Sequence, residues 1–383
     1  MDYKNIFETI DELYESYLDV WEDACNIESP SKYKEGVDAV GSYFSAIAEK
    51  KGWKVDTFYN DVSGNVVTIT LNPGIDNAPL IVSGHMDTVQ PVGLCGTPAV
   101  RRDETYIYGP GVTDCKGGII GALLAMDALD KHGYSNRPIK LILQSDEEVS
   151  SRQSNKATIK HICESSQGSV GFLNLERWYP GYAVIVRKGT VTFEFTVTGK
   201  EAHAALCAKA GANAVLDAAH KIIELEKLKD HDGITCNVGV VSGGSVPNTV
   251  PGTCVFKANI RFRNAKELDW VRNYVKSVAA TVHVPGCTCT VNDPSARVAM
   301  EQCERNEKFL EEANDAFEKC GLPRLEIMKS NGASDAADVS STGVRCIDSI
   351  GVDGGRIHSA EEYALMESLK DCAKRIVAIA LNI

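Results

Sequence analysis

Leu80-Ile81-Val82-Ser83-Gly84-His85-Met86-Asp87-Thr88-Val89 is a short apolar run that stops at a histidine and an aspartate two residues apart. It predicts a buried strand that delivers chemistry at its carboxyl end. In an extended segment residues i and i+2 share a face, so the Asp87 carboxylate can support the His85 ring and fix its tautomer while the other nitrogen binds a metal. A histidine after a strand is also a common structural residue, so the reading depends on what lies around it.

Downstream, Gly109-Pro110-Gly111-Val112-Thr113-Asp114-Cys115-Lys116-Gly117-Gly118 precedes an apolar helix. It is not a phosphate loop: a dinucleotide fingerprint needs glycine where Asp114 stands, and Gly-Lys-Ser/Thr is absent. Asp114 is then either a helix cap or a ligand. The β-branched run at 139–144 empties into Ser145-Asp146-Glu147-Glu148, either a solvated acidic turn or a site at a strand end, and a further strand ends in Phe172-Leu173-Asn174-Leu175-Glu176. Gly354-Gly355-Arg356-Ile357-His358-Ser359-Ala360-Glu361 places a second histidine after glycines and, by its pattern, at a helix start. His85, Asp114, Glu147, Glu148, Glu176 and His358 together offer two imidazoles and four carboxylates, enough for two divalent metals bridged by one aspartate. That donor set suits zinc, with manganese and cobalt as chemically reasonable substitutes. A water between two metals has a lowered pKa, and a carboxylate that is not a ligand can take its proton and pass it to a leaving amine.

The chain around these segments reads as α/β. Helices are expected at 6–21, 34–51, 117–132, 305–320 and from 360 onwards, with strands at 53–59, 66–71, 80–83, 139–144, 172–176 and 345–350. Between them, residues 188–293 follow the order β-α-β-β-α-β of a ferredoxin-like split unit, whose adjacent ends suit insertion into another domain. The expectation is a discontinuous mixed-sheet catalytic domain (1–187 and 294–383), with helices on both faces, carrying an inserted lid and dimerisation domain (188–293).

Composition narrows the function classes. At 383 residues, 44% hydrophobic and 24% charged, the chain is long enough for two domains of a soluble globular protein. A net charge of −12 disfavours nucleic acid and anionic membranes. No apolar run reaches membrane-spanning length, and the start Met1-Asp2-Tyr3-Lys4-Asn5-Ile6 lacks a secretion signal, so a cytoplasmic location is expected. Thirteen cysteines, an odd number without a framework, fit reduced thiols. Cys115 has no histidine nearby in sequence and reads as structural rather than nucleophilic, and the absence of Gly-x-Ser-x-Gly leaves a serine hydrolase unsupported.

Ser83 to Val89, Gly111 to Gly118, Asp146-Glu147-Glu148, Glu176, Gly199-Lys200-Glu201-Ala202-His203-Ala204, Asn248-Thr249-Val250-Pro251, Ser334-Asp335-Ala336 and Gly354 to Glu361 together resemble, in order, the dizinc amidohydrolases. That family includes glutamate carboxypeptidase, acetylornithine deacetylase, succinyl-diaminopimelate desuccinylase, aminoacylase and tripeptidase. The resemblance implies that Asp114 bridges two metals, with His85 and Glu176 completing one and Glu148 and His358 the other. Glu147 is then the general base and acid, and Asp87 orients His85. It further implies that His203 stabilises the tetrahedral oxyanion, in many relatives from across a dimer, and that Asn248 and Arg261 hold the substrate. Ala205, where the family often has glycine, and Cys115 depart from the pattern without removing a ligand. The expected activity is hydrolysis of an amide bond next to a free carboxylate in a small or short-peptide substrate, by a carboxypeptidase or N-acyl-amino-acid deacylase. Glu176 leans this way, since aminopeptidases and dipeptidases of the family, the second reading, often carry aspartate there. A catalytically silent binding relative would be expected to have lost a ligand or the base, and this chain keeps them all. A homodimer through residues near 200–235 of the lid is also expected.

Overall fold

The computed structural model describes residues 1–383. It separates into two compact units, one of Met1–Ile185, Gln302–Lys329 and Ser334–Ile383, the other of Val186–Glu301 with Ser330–Ala333. The second unit thus takes in residues 186–187, 294–301 and 330–333, outside the 188–293 span. The cause is backbone pairing. Arg297 and Thr190 exchange hydrogen bonds of 2.8 and 3.0 Å, Met300 and Arg187 do the same at 3.0 Å, and the Lys188 N–H donates to the Ser330 carbonyl at 3.0 Å.

The first unit is built on a six-stranded mixed sheet in the order Lys54–Phe58, Val66–Leu71, Ile139–Gln144, Leu80–His85, Gly171–Asn174, Cys346–Ile347. The first two contacts across this order are antiparallel and the rest are parallel. Leu80–His85 is buried at all six positions and Gly171–Asn174 at all four. Successive side chains point to opposite faces, so strands buried at every position must be covered on both. Helix Lys116–Lys131 lies against Leu80–His85 and beneath helices Tyr3–Asn26 and Ser368–Asn382. Its first fourteen residues are all buried, which is why its sequence is apolar nearly all round. The helix comes close because Gly84 has no side chain: a Cβ there would stand 2.8 Å from Ile119 Cγ1 and 3.0 Å from Cys115 Sγ.

Ile139–Gln144, Leu80–His85 and Gly171–Asn174 are adjacent and parallel, with His85 level with Gln144 and Ser83 level with Asn174. Their carboxyl ends therefore open at the same end of the sheet, the place where α/β folds collect ligands. The last helix begins at Ser368 rather than near residue 360. Tyr363–Leu365 instead pairs antiparallel with Tyr106–Tyr108, and burial of Ala364 against Ile107 outweighs the helical pattern of the local sequence. His358 consequently sits in a loop between Gly354–Gly355 and Tyr363–Leu365, with φ of 64°, and not at a helix start. The strand expected over 345–350 is reduced to the two paired residues Cys346–Ile347 at the sheet edge.

The second unit runs Gly189–Thr198, Ala214–Leu225, Thr235–Gly243, Thr253–Phe262, Ala265–Ala280, Thr288–Val291. Its four-stranded sheet has the order Thr235–Gly243, Thr253–Phe262, Gly189–Thr198, Thr288–Val291, antiparallel throughout. Gly189–Thr198 alternates buried and half-buried positions, the period-two signature of a sheet with one covered face. Phe193, Phe195, Phe256, Ile260 and Phe262 fill its core, with the Phe195 and Phe256 rings stacked at 4.5 Å. Lys221 and Asp217 form a buried ion pair at 3.3 Å on Ala214–Leu225, and the Lys221 ammonium also donates to the Val278 and Ala279 carbonyls at the end of Ala265–Ala280.

Candidate dinuclear metal centre

His85 ends its strand with a ring whose Nδ1 lies 3.0 Å from the backbone carbonyl of Asp87. That hydrogen bond places the proton on Nδ1 and leaves Nε2 as the donor atom. Nε2 faces Asp114 Oδ1 at 3.1 Å and Glu176 Oε1 at 3.9 Å. The other oxygen of Asp114, Oδ2, lies 3.1 Å from His358 Nε2, which is also 3.1 Å from Glu148 Oε2. Two donor groups result, His85–Asp114–Glu176 and Asp114–Glu148–His358, with the atoms of each within 4.8 Å of one another and Asp114 common to both. Asp114 therefore does not cap the following helix, whose N-cap is Cys115 without a side-chain bond.

The donor set fits a pair of divalent cations. Ligands about 2.1 Å from one tetrahedral ion stand about 3.4 Å apart, close to the observed 3.1 and 3.9 Å separations. The electrostatics agree. Burial works against a charged His85, but the hydrogen bonds to Asp114 and Asp87 and the Asp114 charge outweigh it and push the imidazole well above its usual range. Hydrogen bonds to Asp114 and Glu148 push His358 up to about 11. Burial works upward on Asp114 too, yet the hydrogen bonds from His358 and His85 hold its carboxyl well below the usual range. Burial pushes Glu148 up to about 7, opposed by its hydrogen bond with His358. A cluster that draws protons onto both imidazoles is one that attracts cations.

Glu147 belongs to neither donor group, although it neighbours Glu148 and is 6% exposed. The turn that carries both is pinned by Asp87, whose Oδ1 accepts from the Glu147 N–H and whose Oδ2 accepts from the Glu148 N–H, each at 3.1 Å. The Ser31 hydroxyl donates to the same carboxylate at 2.6 Å. The Asp87 carboxylate is 3.4 Å from His85 Nδ1, farther than its own backbone carbonyl. Its closer engagements are thus with the acidic turn, a role that the i, i+2 pattern did not indicate. Asp146, first of the three acids, is spoken for by Thr158 Oγ1 at 2.6 Å and the Ser154 N–H at 2.9 Å, and shapes the turn. Cys115 is buried and its Sγ accepts from the His85 N–H at 3.3 Å, while burial pushes the thiol well up, so it stays protonated and structural.

Glu362, Gln90 and Ser31 were missed by sequence reasoning. Glu362 is 1% exposed and accepts from the backbone N–H groups of Gly111, Thr113 and Asp114. Burial, then the Asp114 charge, push it up to about 7 against those bonds. No spacing rule announces such a contact, because the partners are main-chain groups.

The remaining expected residues lie in the second unit. His203 and Asn248 come together: Ala202–His203 pairs with Thr249–Val250, and the Asn248 carbonyl accepts from the Ala204 N–H at 2.9 Å. Both are exposed, and His203 Nδ1 accepts from the Ala205 N–H at 3.2 Å. Arg261 is half-buried, donates to the Asn331 carbonyl at 2.8 Å, and is lowered by burial and then by the nearby Arg297.

Residues 81–382 match the model of Peptidase family M20/M25/M40. The chain belongs to this family. It is a metallohydrolase of the M20 kind, in a family whose metal sites are dinuclear. Carboxypeptidase G2 of Pseudomonas sp. (strain RS-16) is 24% identical over 345 residues, 87% of this chain and 81% of that protein. Succinyl-diaminopimelate desuccinylase of Helicobacter hepaticus is 27% identical over 307 residues, 73% of this chain and 74% of that one. Among solved M20 structures, a tripeptidase of Staphylococcus aureus superposes with a TM-score of 0.79 at 19% identity, over 96% of this chain and 97% of that one, a likeness of fold.

Proposed function

We propose that this M20 protein hydrolyses a peptide or N-acyl amide bond next to a free carboxylate, as a carboxypeptidase or N-acyl-amino-acid deacylase. His85, Asp114 and Glu176 hold one cation and Asp114, Glu148 and His358 the other, with zinc as the native metal in this reading. The observation that carries it is Asp114, whose two oxygens face two different histidines, while Glu147, next in sequence to Glu148, belongs to neither group. When bound, the cations supply Lewis-acid stabilisation of developing oxygen charge and ease the deprotonation of water. Glu147 accepts the water proton on its carboxylate and delivers it to the departing amide nitrogen. Asp87 fixes the backbone of Glu147 and of Glu148, which belongs to the second donor group. From the second unit, read as a ferredoxin-like lid, His203 donates to the oxyanion, and Asn248 and Arg261 hold the substrate, the guanidinium forking onto its carboxylate.

The compartment in this reading is the cytoplasm, consistent with all thirteen cysteines being free thiols; no helix is long and apolar enough to cross a membrane. Homodimerisation through the second unit is supported by its edge strand Thr235–Gly243, where Val240 and Val241 are exposed, and by Leu216 and Ile223 exposed on Ala214–Leu225. Sedimentation showing only monomer at micromolar concentration would remove that part.

The test is metal analysis after chelation and reloading with zinc, manganese or cobalt, together with a panel of N-acyl amino acids and short peptides with free or amidated carboxyl ends. The expected result is two cations per chain and cleavage of free-acid substrates only. Full activity without bound metal overturns the reading. Cleavage that requires a free amino end and tolerates amidation makes the protein an aminopeptidase or dipeptidase.

A further inference from the structure

Glu362 touches neither candidate histidine, yet it connects the loops that carry the donors. Its oxygens accept from Gly111 N–H at 3.2 Å, Thr113 N–H at 2.9 Å and Asp114 N–H at 3.0 Å, and from the Gln90 amide at 3.2 Å. A buried carboxylate persists only when hydrogen bonded, and here four donors converge on it. Glu362 lies four residues after His358. Next to it, the Tyr363 carbonyl accepts from the Thr113 hydroxyl at 2.6 Å, and the Gln90 amide also donates to the Ser359 carbonyl at 3.2 Å. The segments following Asp87, preceding Asp114 and following His358 thus meet at one side chain.

The two donor groups are not equally supported without it. His85 and Glu176 stand at the ends of neighbouring parallel strands in the buried sheet. His358 is on a loop with positive φ at both Arg356 and His358, and its side chain is 52% exposed. Arg356 pairs with Glu361 at the surface, where an ion pair contributes little rigidity. Glu362 supplies the buried side-chain tether of that loop.

We propose that Glu362, assisted by Gln90, is a positioning residue that locks the His358 loop to the Asp114 loop and so sets the affinity of the Glu148–His358 cation site more than that of the His85–Glu176 site. The inference rests on the two-cation reading of the centre. It concerns where the donors are held, and it leaves Glu147 to its own role.

The experiment titrates zinc into chelator-stripped full-length protein against a chromophoric chelator, for wild type, Glu362→Ala, Glu362→Gln and Gln90→Ala, with Glu148→Gln marking which cation belongs to the second site. Circular dichroism and thermal melting of the stripped proteins report folding separately. For Glu362→Ala, the site weakened in Glu148→Gln should lose about 10- to 100-fold in affinity, the size usual for a lost outer partner of a ligand, while the other site shifts less than about threefold. Glu362→Gln should weaken the same site by less, since its carbonyl still accepts but its NH2 group confronts backbone donors. Wild-type affinity at both sites in all three variants overturns the proposal, as does equal weakening of both sites. If Glu362→Ala does not fold, Glu362→Gln and Gln90→Ala decide by the same criterion. A wild type that binds fewer than two cations fails the two-cation reading itself, and this inference with it.

Discussion

In the first unit, three carboxylates at the candidate centre are each held from more than one side. Asp87 has three donors on its carboxylate, Asp114 faces two imidazoles, and Glu362 gathers three backbone N–H groups. In the second unit, His203 and Asn248 are exposed, and Arg261 donates a hydrogen bond to the Asn331 carbonyl. Under the proposed function, the difference follows from the partner each set awaits. Donors that bring negative charge into a buried cluster must be fixed in advance, because their repulsion opposes the geometry a cation needs. Donors meant for a substrate must keep their hydrogen-bonding capacity available until it arrives.

The largest expected effect lies where the proposed function gives two neighbouring glutamates different roles. Glu147→Gln should retain both cations and lose about a hundredfold or more in turnover, the scale of a removed general base. Glu148→Gln should instead lower cation affinity. Metal content and single-turnover rates on the same preparations separate the two. Loss of metal from Glu147→Gln, with normal activity per bound cation, would mean that Asp87 aims the turn differently and that the roles are exchanged.

That distinction between neighbours was visible in sequence only through resemblance, whereas the approach of the donors was visible in the pattern itself. His85, Glu148 and Glu176 follow apolar runs that read as buried strands, which left a strand-end site open as one reading, and the parallel pairing of those strands brings their carboxyl ends together. His358 was harder. The segment after residue 360 carries helical periodicity, but Tyr363–Leu365 is claimed by Tyr106–Tyr108, more than 250 positions away, and local pattern holds no trace of a pairing so distant. Glu362, Gln90 and Ser31 act on main-chain groups or across loops, where no periodicity exists. The end of the second unit moved for a similar reason, since Arg297 and Met300 return to pair with Thr190 and Arg187.

A smaller effect is expected from Arg261→Ala. A charge-assisted hydrogen bond to a carboxylate contributes about 1.5 to 3 kcal/mol, so kcat/KM should fall roughly ten- to a hundredfold or more on free-acid substrates. Amidated substrates should be poor for wild type and lose little further. Equal losses on both kinds would leave Arg261 as a support for the 330–333 segment, through Asn331, and remove the carboxylate from the recognition scheme.

The smallest effect on turnover, and a large one on local stability, is expected at the buried ion pair of the second unit. Both Lys221 and Asp217 side chains are 1% exposed, 3.3 Å apart. The Lys221 ammonium also donates to the carbonyls of Val278, Ala279 and Thr281, which close the helix Ala265–Ala280, while Asp217 accepts from the His283 and Val284 N–H groups at 2.8 and 2.9 Å. Lys221→Met keeps the apolar stem and removes only the charge, leaving helix-end carbonyls buried and a carboxylate with backbone donors alone. Removing one partner of a buried pair costs about 3 to 5 kcal/mol. Hydrogen exchange should therefore rise across 214–291 while the sheet of the first unit keeps its protection, and kcat measured in the cold should change less than about threefold. Asp217→Asn combined with Lys221→Met should recover part of the loss, because no unpaired charge then remains. If the first unit lost protection in step, opening of the two would be one cooperative event. If instead kcat fell tenfold with exchange unchanged, this pair would be acting on the chemistry, and the part proposed for the second unit would rest on this buried pair as well as on the exposed His203 and Asn248.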